Sequence, residues 1–179
     1  HPEKNDKQPS EVLPHAALRV WWVCENGHEW CASVNSRSRG TGCPVCAGKQ
    51  PLSGFNDLAT THPHLVAGWH PTRNDRNPQD VTKGSEHRAW WVCQKGHEWE
   101  ATICNRVSGF QSPYCSGRRV LAGYNDVLNH YPALAGECHP TRNELGPSEV
   151  TFGSEIVLWW VCEKGHEWQS RVNNRVHGR

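Results

Sequence analysis

The sequence has little of what builds a large hydrophobic core. It contains no methionine, and leucine, isoleucine, valine and phenylalanine are sparse among its 179 residues. That composition suits several small modules better than one core. No apolar run approaches the roughly 18 residues that a membrane helix needs, and no signal-peptide segment is found. We therefore expect no membrane contact. Because the sequence has no start methionine, we also expect the chain to be a piece of a longer protein, with that protein's other domains as partners.

Net charge is also small. The formal value is +1, and the residues 120–158 carry one basic side chain against five acidic ones. The segments 21–49, 90–119 and 159–179 are each slightly positive. A balance this small does not by itself establish binding to nucleic acid.

Cysteine and tryptophan are plentiful instead, with nine and ten copies. An odd number of cysteines, interleaved with histidines and without a secretory signal, indicates metal binding in a reducing compartment rather than a disulfide framework. The expected location is therefore cytoplasmic.

An internal repeat organises the chain. The segment WWVCENGHEW at 21–30 recurs as WWVCQKGHEW at 90–99 and as WWVCEKGHEW at 159–168, so the period is 69 residues. The same spacing relates GFND to GYND and one HPTRN to the other. Such self-similarity indicates a repeat architecture, here about two and a half units of an array.

Within each unit, RVWWVC and HEWCASV predict two strands joined at the tight-turn signal of Asn26 and Gly27. Asn56 and Asp57 predict the cap of a short helix before Pro63, and a second helical segment is expected over 64–69. The predicted domains are unit 1 at 1–48, unit 2 at 70–117 and a truncated unit 3 at 139–179, with helical connectors at 49–69 and 118–138.

The first unit has a candidate metal site in the pattern Cys24-x3-His28-x14-Cys43-x2-Cys46. Zinc takes four thiolate or imidazole ligands in a tetrahedron, and two closely spaced pairs supply them. A closed shell of four protein ligands leaves no position for a substrate. The pattern therefore predicts a structural Zn²⁺ site.

The later units depart from this pattern. Cys93, His97 and Cys115 keep their places, but Ser112 stands where a cysteine is expected. Cys104 could substitute, water could fill the fourth position, or the metal could be lost. The third unit has only Cys162 and His166, which amount to half a ligand shell.

Together, these motifs resemble the bacterial "probable zinc-ribbon" family. The resemblance rests on WWxCxxGHxW, the following arginine, the Gly-Cys-Pro-x-Cys knuckle, GxND and WHPxxN, and covers essentially the whole chain. It implies small metal-stabilised α+β repeats, zinc-ribbon or treble-clef-like β-hairpin units with short helical connectors. It also implies a structural zinc site and a role in nucleic-acid binding or targeting within larger proteins.

Each tryptophan pair allows two interpretations, since neighbours in a strand face opposite sides. Most of these rings are expected to form the core, but one per pair could stack on bases. Register-matched arginines could contact phosphates, or could brace each unit by pairing with Glu29, Glu98 and Glu167. The candidate nucleic-acid-binding residues are Arg37, Arg39, Arg106, Arg175, Trp22, Trp91 and Trp160; Arg118, Arg119, Arg171 and Arg179 add positive charge.

No catalytic set emerges from the sequence. The histidine of HPTRN lies in turn-like sequence that can close locally, and the best Cys-His pairs are already candidate metal ligands. The sequence therefore predicts no enzyme and no small-molecule substrate. It favours a zinc-binding module for nucleic acid, with DNA preferred. The alternative is a protein-interaction or spacer array.

Overall fold

A computed structural model describes residues 1–178; Arg179, which ends the predicted third unit and belongs to the predicted basic set, lies outside the described residues. Its strands form antiparallel two-stranded hairpins, one in each repeat. The strands are β1 (Arg19–Val23), β2 (Glu29–Ser33), β3 (Arg88–Val92), β4 (Glu98–Thr102), β5 (Val157–Val161) and β6 (Glu167–Arg171).

The hairpins place the tryptophans opposite each other. Trp22 faces Trp30 across β1 and β2, and Trp160 faces Trp168 across β5 and β6. Gly27 has a φ of +77°, a left-handed conformation that glycine adopts at low cost. The predicted strands and turn are confirmed.

A short helix follows the second strand of each hairpin: α1 (Val34–Ser38), α4 (Ile103–Val107) and α7 (Val172–Val176). The Ser33 side chain accepts a hydrogen bond from the Ser36 amide and so caps α1. The sequence signals no helix here, and the structure places Arg37, Arg106 and Arg175 on these three helices.

The connectors contain α2 (Leu58–Thr61) and α3 (Pro63–Val66), and again α5 (Val127–His130) and α6 (Pro132–Gly136). Asp57 caps α2 as predicted, through a 2.9 Å hydrogen bond from the Thr60 amide. Helix α3 ends before the predicted Trp69, because Trp69 forms an antiparallel bridge with Trp91 instead. The Val92 amide donates to the Gly68 carbonyl at 2.8 Å, so the connector extends the edge of β3. Short 3-10 helices lie at Pro9–Glu11 and Pro78–Asp80.

The chain forms two compact units, one of residues 1–92 with 100–110 and the other of residues 93–99 with those from 111 onward. In the second unit, an apolar core joins the connector to the next hairpin and its helix through Val127, Ala135, Val150, Leu158, Trp160 and Val172. In the first unit, the side chains one repeat earlier are also buried, among them Leu58, Val81, Ala89, Trp91 and Ile103.

The first hairpin has a separate small core beside its candidate ligands. Trp30, Cys43 and Val45 are buried together, with Trp22 and Ala32 packed against them. Buried indoles thus supply apolar area that the sparse aliphatic residues do not. As for membranes, none of the helices within 1–178 combines the length and the apolar character that crossing a bilayer requires.

Candidate metal centre

The first cluster consists of the four predicted ligands of unit 1. The sulfur and nitrogen atoms of Cys24, His28, Cys43 and Cys46 all lie within 4.8 Å of one another. Cys24 Sγ is 3.8 Å from Cys46 Sγ, and His28 Nδ1 is 3.5 Å from Cys24 Sγ. A zinc tetrahedron has edges of about 3.8 Å between sulfurs and about 3.6 Å between sulfur and nitrogen, given its bond lengths. The donor set and its spacing therefore fit zinc.

Two local structures position these ligands. Cys24 and His28 flank the hairpin turn, where the Cys24 amide donates to the His28 carbonyl at 3.1 Å. Cys43 and Cys46 lie in a tight knuckle, closed by the Ala47 amide donating to the Cys43 carbonyl at 2.9 Å. Each pair is thus held within a short hydrogen-bonded turn, and the fold brings the two pairs together.

The surroundings of Cys24 favour its thiolate. Burial alone raises the pKa of this thiol, but hydrogen bonds from the backbone of His28 and Asn26 and from the neighbouring cysteines outweigh that effect, so the pKa is lowered. A thiolate is the form that binds metal.

Two supporting residues escaped the sequence analysis. The Asn26 amide group donates to Cys46 Sγ at 3.3 Å, and the Phe55 ring packs edge-on against His28 with centroids 4.6 Å apart. Outer contacts of this kind orient metal ligands. The sequence predicts only a turn position for Asn26. The feature of the sequence that could have identified Phe55 is the aromatic residue at the second position of both GFND and GYND.

The second cluster brings together Cys93, His97 and Cys115. Cys93 Sγ is 3.8 Å from Cys115 Sγ, and His97 Nδ1 is 3.3 Å from Cys115 Sγ. Cys104 is not in the cluster: it lies on α4, with its sulfur 3.3 Å from Thr102 Oγ1. The idea that Cys104 replaces the missing ligand was therefore wrong.

Cys162 and His166 keep the hairpin geometry of the other repeats, with the Cys162 amide 3.1 Å from the His166 carbonyl. Within the described part of the chain, neither belongs to a group of three or more potential ligands. Their role in metal binding stays a prediction.

The register-matched arginines pack on tryptophan. The Arg37 guanidinium lies 5.1 Å from the Trp22 ring, and that of Arg106 lies 5.0 Å from the Trp91 ring. Burial lowers the pKa of Arg106. These side chains brace their units, but not through the predicted glutamates in the first and third repeats. Glu29 pairs with His1 and Lys4, while Arg175 pairs with Glu137.

The tryptophans chosen as base-stacking candidates are largely interior. Trp91 and Trp160 are 0% exposed, so the prediction that they contact nucleic acid is wrong; Trp22 is half-buried. Of the first pair, Trp21 is the more exposed ring at 38%. Lys4 lies 4.8 Å from its centroid, and Arg73 and Arg142 occupy the same position over Trp90 and Trp159 at 3.4 and 4.4 Å.

The HPTRN segment is structural, as the sequence predicts. His70 Nδ1 accepts hydrogen bonds from the Thr72 and Arg73 amides at 3.3 and 3.2 Å, which closes the turn. Trp69 packs edge-on against Trp91 with centroids 5.0 Å apart. Cys138, its counterpart, bridges to Trp160 and is half-buried.

Comparison with known families agrees with this geometry. A family model described as a probable treble clef zinc finger domain matches residues 1–49, 65–118 and 134–179. The three matches correspond to the three repeats. A search of curated proteins finds no match to the chain.

Proposed function

The chain belongs to this family of probable treble clef zinc finger domains, and on that premise we propose that it is a zinc-stabilised module that binds nucleic acid through phosphate contacts. In this proposal zinc is the metal of the first cluster, and the module serves a larger protein as its targeting part. The observation that carries the nucleic-acid proposal is a polar concavity in the first compact unit, flanked by two cations.

The concavity has a volume of about 300 Å³ and lies between the end of the first knuckle and the lead-in to the second hairpin. Its lining includes Lys49, Arg76, Thr82, Gly84 and Ser85. Among the described residues, neither the Lys49 ammonium nor the Arg76 guanidinium has a hydrogen bond or ion pair. Asp80 is the acidic residue of the lining, and its carboxylate is engaged by Asn77.

These features suit a phosphate group. The two unpaired cations of the lining can approach its oxygens, and the lining also contains the small residues Gly84 and Ser85. Arg37, Arg106 and Arg175 do not enter this proposal, because their guanidinium groups pack within their own units. Arg39, the other candidate arginine of the first repeat, is exposed.

Fluorescence anisotropy with a labelled DNA duplex tests the proposal. We expect binding at low salt that weakens as salt rises, because phosphate contacts release counterions. Lys49→Ala with Arg76→Ala should weaken binding and reduce the slope of log K against log salt by about 1.8, or about 0.9 for each lost contact.

Arg88→Ala is the matched control, because Arg88 is an exposed cation already paired with Glu100 at 2.9 Å. It should leave binding nearly unchanged. Absence of binding at low salt would overturn the nucleic-acid proposal, and so would equal binding by the double variant and the control. Either result would favour the alternative, a protein-interaction or spacer array.

A further inference from the structure

The second cluster differs from the first by one donor atom. Cys93, His97 and Cys115 correspond in the 69-residue register to Cys24, His28 and Cys46, and Ser112 stands in the place of Cys43. The three remaining donors keep the sulfur separation of 3.8 Å seen in the first cluster. Loss of the fourth thiolate has therefore left the other three ligands in position.

Ser112 is not a replacement for that thiolate. A neutral hydroxyl is a weak ligand for zinc, whose protein sites use thiolate, imidazole and carboxylate. The Ser112 side chain is 2% exposed, and its oxygen accepts a hydrogen bond from the Cys115 amide at 3.4 Å. Ser112 thus supports one ligand, Cys115, without supplying a strong fourth donor.

The aromatic side chain that packs on the histidine ligand is more polar in the second cluster than in the first. Tyr124 packs on His97 with centroids 4.1 Å apart, where Phe55 packs on His28 in the first repeat. The Tyr124 hydroxyl is 3.9 Å from Cys115 Sγ and accepts a hydrogen bond from Lys95 Nζ at 2.9 Å. Cys115 is itself exposed, so the cluster borders solvent.

We infer that the second cluster is a three-ligand metal centre whose fourth position is exchangeable and binds a small monodentate thiolate. Three protein ligands with an open fourth position are the arrangement that zinc adopts where it takes external ligands. A thiolate would restore the three-sulfur, one-nitrogen set of the first cluster. On binding, the thiol loses its proton to solvent, its sulfur bonds to the metal, and a metal-bound water leaves.

The experiment uses the full chain loaded with Co²⁺, whose visible spectrum reports its ligands. Cys24→Ala with Cys46→Ala removes two ligands of the first cluster, so that the spectrum reports the second. We expect 2-mercaptoethanol to increase the sulfur-to-cobalt charge-transfer absorption and shift the d–d bands. Failure of cobalt to bind, or a spectrum unchanged by the thiol, would overturn the inference.

Ser112→Cys in the same background is the matched control. It should show the three-sulfur spectrum without added thiol, give no response to thiol, and hold metal at least about 10-fold more tightly in competition with a chelator, since even outer contacts of a ligand change metal affinity by such factors. Tyr124→Phe should keep the thiol response. If Tyr124→Phe lost the response to thiol, or if the Ser112→Cys spectrum still responded to thiol, the open fourth position would be refuted. DNA binding is not a readout, so the two proposals can fail separately.

Discussion

The side chain of Asn74 holds both backbone groups of Trp90. Its Oδ1 accepts from the Trp90 amide at 2.7 Å, and its Nδ2 donates to the Trp90 carbonyl at 3.0 Å. Asn5 makes the same two contacts with Trp21 at 2.8 and 2.9 Å, and Asn143 makes them with Trp159 at 2.8 and 2.9 Å. The last residue of each HPxxN segment therefore acts like a short piece of strand at the hairpin edge.

Replacing Asn74 should destabilise the protein. Asn74→Ala removes both hydrogen bonds to a half-buried backbone and should lower the free energy of unfolding by about 1–3 kcal/mol. Asn74→Asp keeps the acceptor but places a carboxylate oxygen beside the Trp90 carbonyl, so it should cost no less. Urea denaturation measures both. Gln79→Ala, an exposed position, is the control; an Asn74→Asp variant as stable as the original protein would contradict this role.

Asp57 should stabilise the first connector in a pH-dependent way. Burial alone raises the pKa of its carboxyl, but hydrogen bonds from the Thr60 side chain and from the Thr60 and Gly54 amides more than compensate, so the pKa is lowered. The stabilisation is then present above the unfolded value of about 3.9 and is lost as pH falls through the lower folded value.

Asp57→Ala removes this helix cap and should lower the free energy of unfolding by about 0.5–2 kcal/mol at pH 7. The difference from the original protein should stay constant between pH 7 and pH 5 and shrink below about pH 4, where the carboxylate begins to take up a proton. Chemical denaturation of both proteins at each pH measures it. A difference that grows toward low pH would contradict the assigned pKa direction.

Asn26 should strengthen metal binding at the first cluster without being a ligand. Asn26→Ala removes the 3.3 Å hydrogen bond to Cys46 Sγ and should reduce metal affinity by about 10-fold or more. Competition with a chromophoric chelator measures the affinity. Glu25→Ala, an exposed change in the same turn, should have little effect; equal losses in the two variants would show that turn stability, not the hydrogen bond, is responsible.

Arg175 should contribute to stability rather than to ligand binding. Its guanidinium pairs with Glu137 and lies 5.2 Å from the Trp168 ring. Arg175→Ala should therefore lower the free energy of unfolding by about 1–2 kcal/mol. Arg171→Ala, an exposed arginine at the start of the same helix, should cost much less. If Arg175→Ala instead weakened DNA binding at unchanged stability, the bracing role would be wrong.

The sequence alone was enough for those features that depend on short separations along the chain. The Asn-Gly turn, the Asp57 cap and the approach of Cys24 to His28 each need only a few residues in a preferred conformation. The sequence also predicted that the two ligand pairs of the first cluster form one site, because zinc takes a complete set of four ligands. The repeat supplied the same information again in the second hairpin.

Only the tertiary structure decided which face of each element is covered. Trp21 and Trp22 are adjacent and chemically identical, yet Trp22 packs with the buried Trp30 core while Trp21 keeps 38% of its surface exposed. Arg37 could have faced solvent or a glutamate, and it lies on tryptophan rings instead. Such choices depend on side chains that are brought together from distant parts of the chain by burial of apolar area, and local preference does not encode that burial.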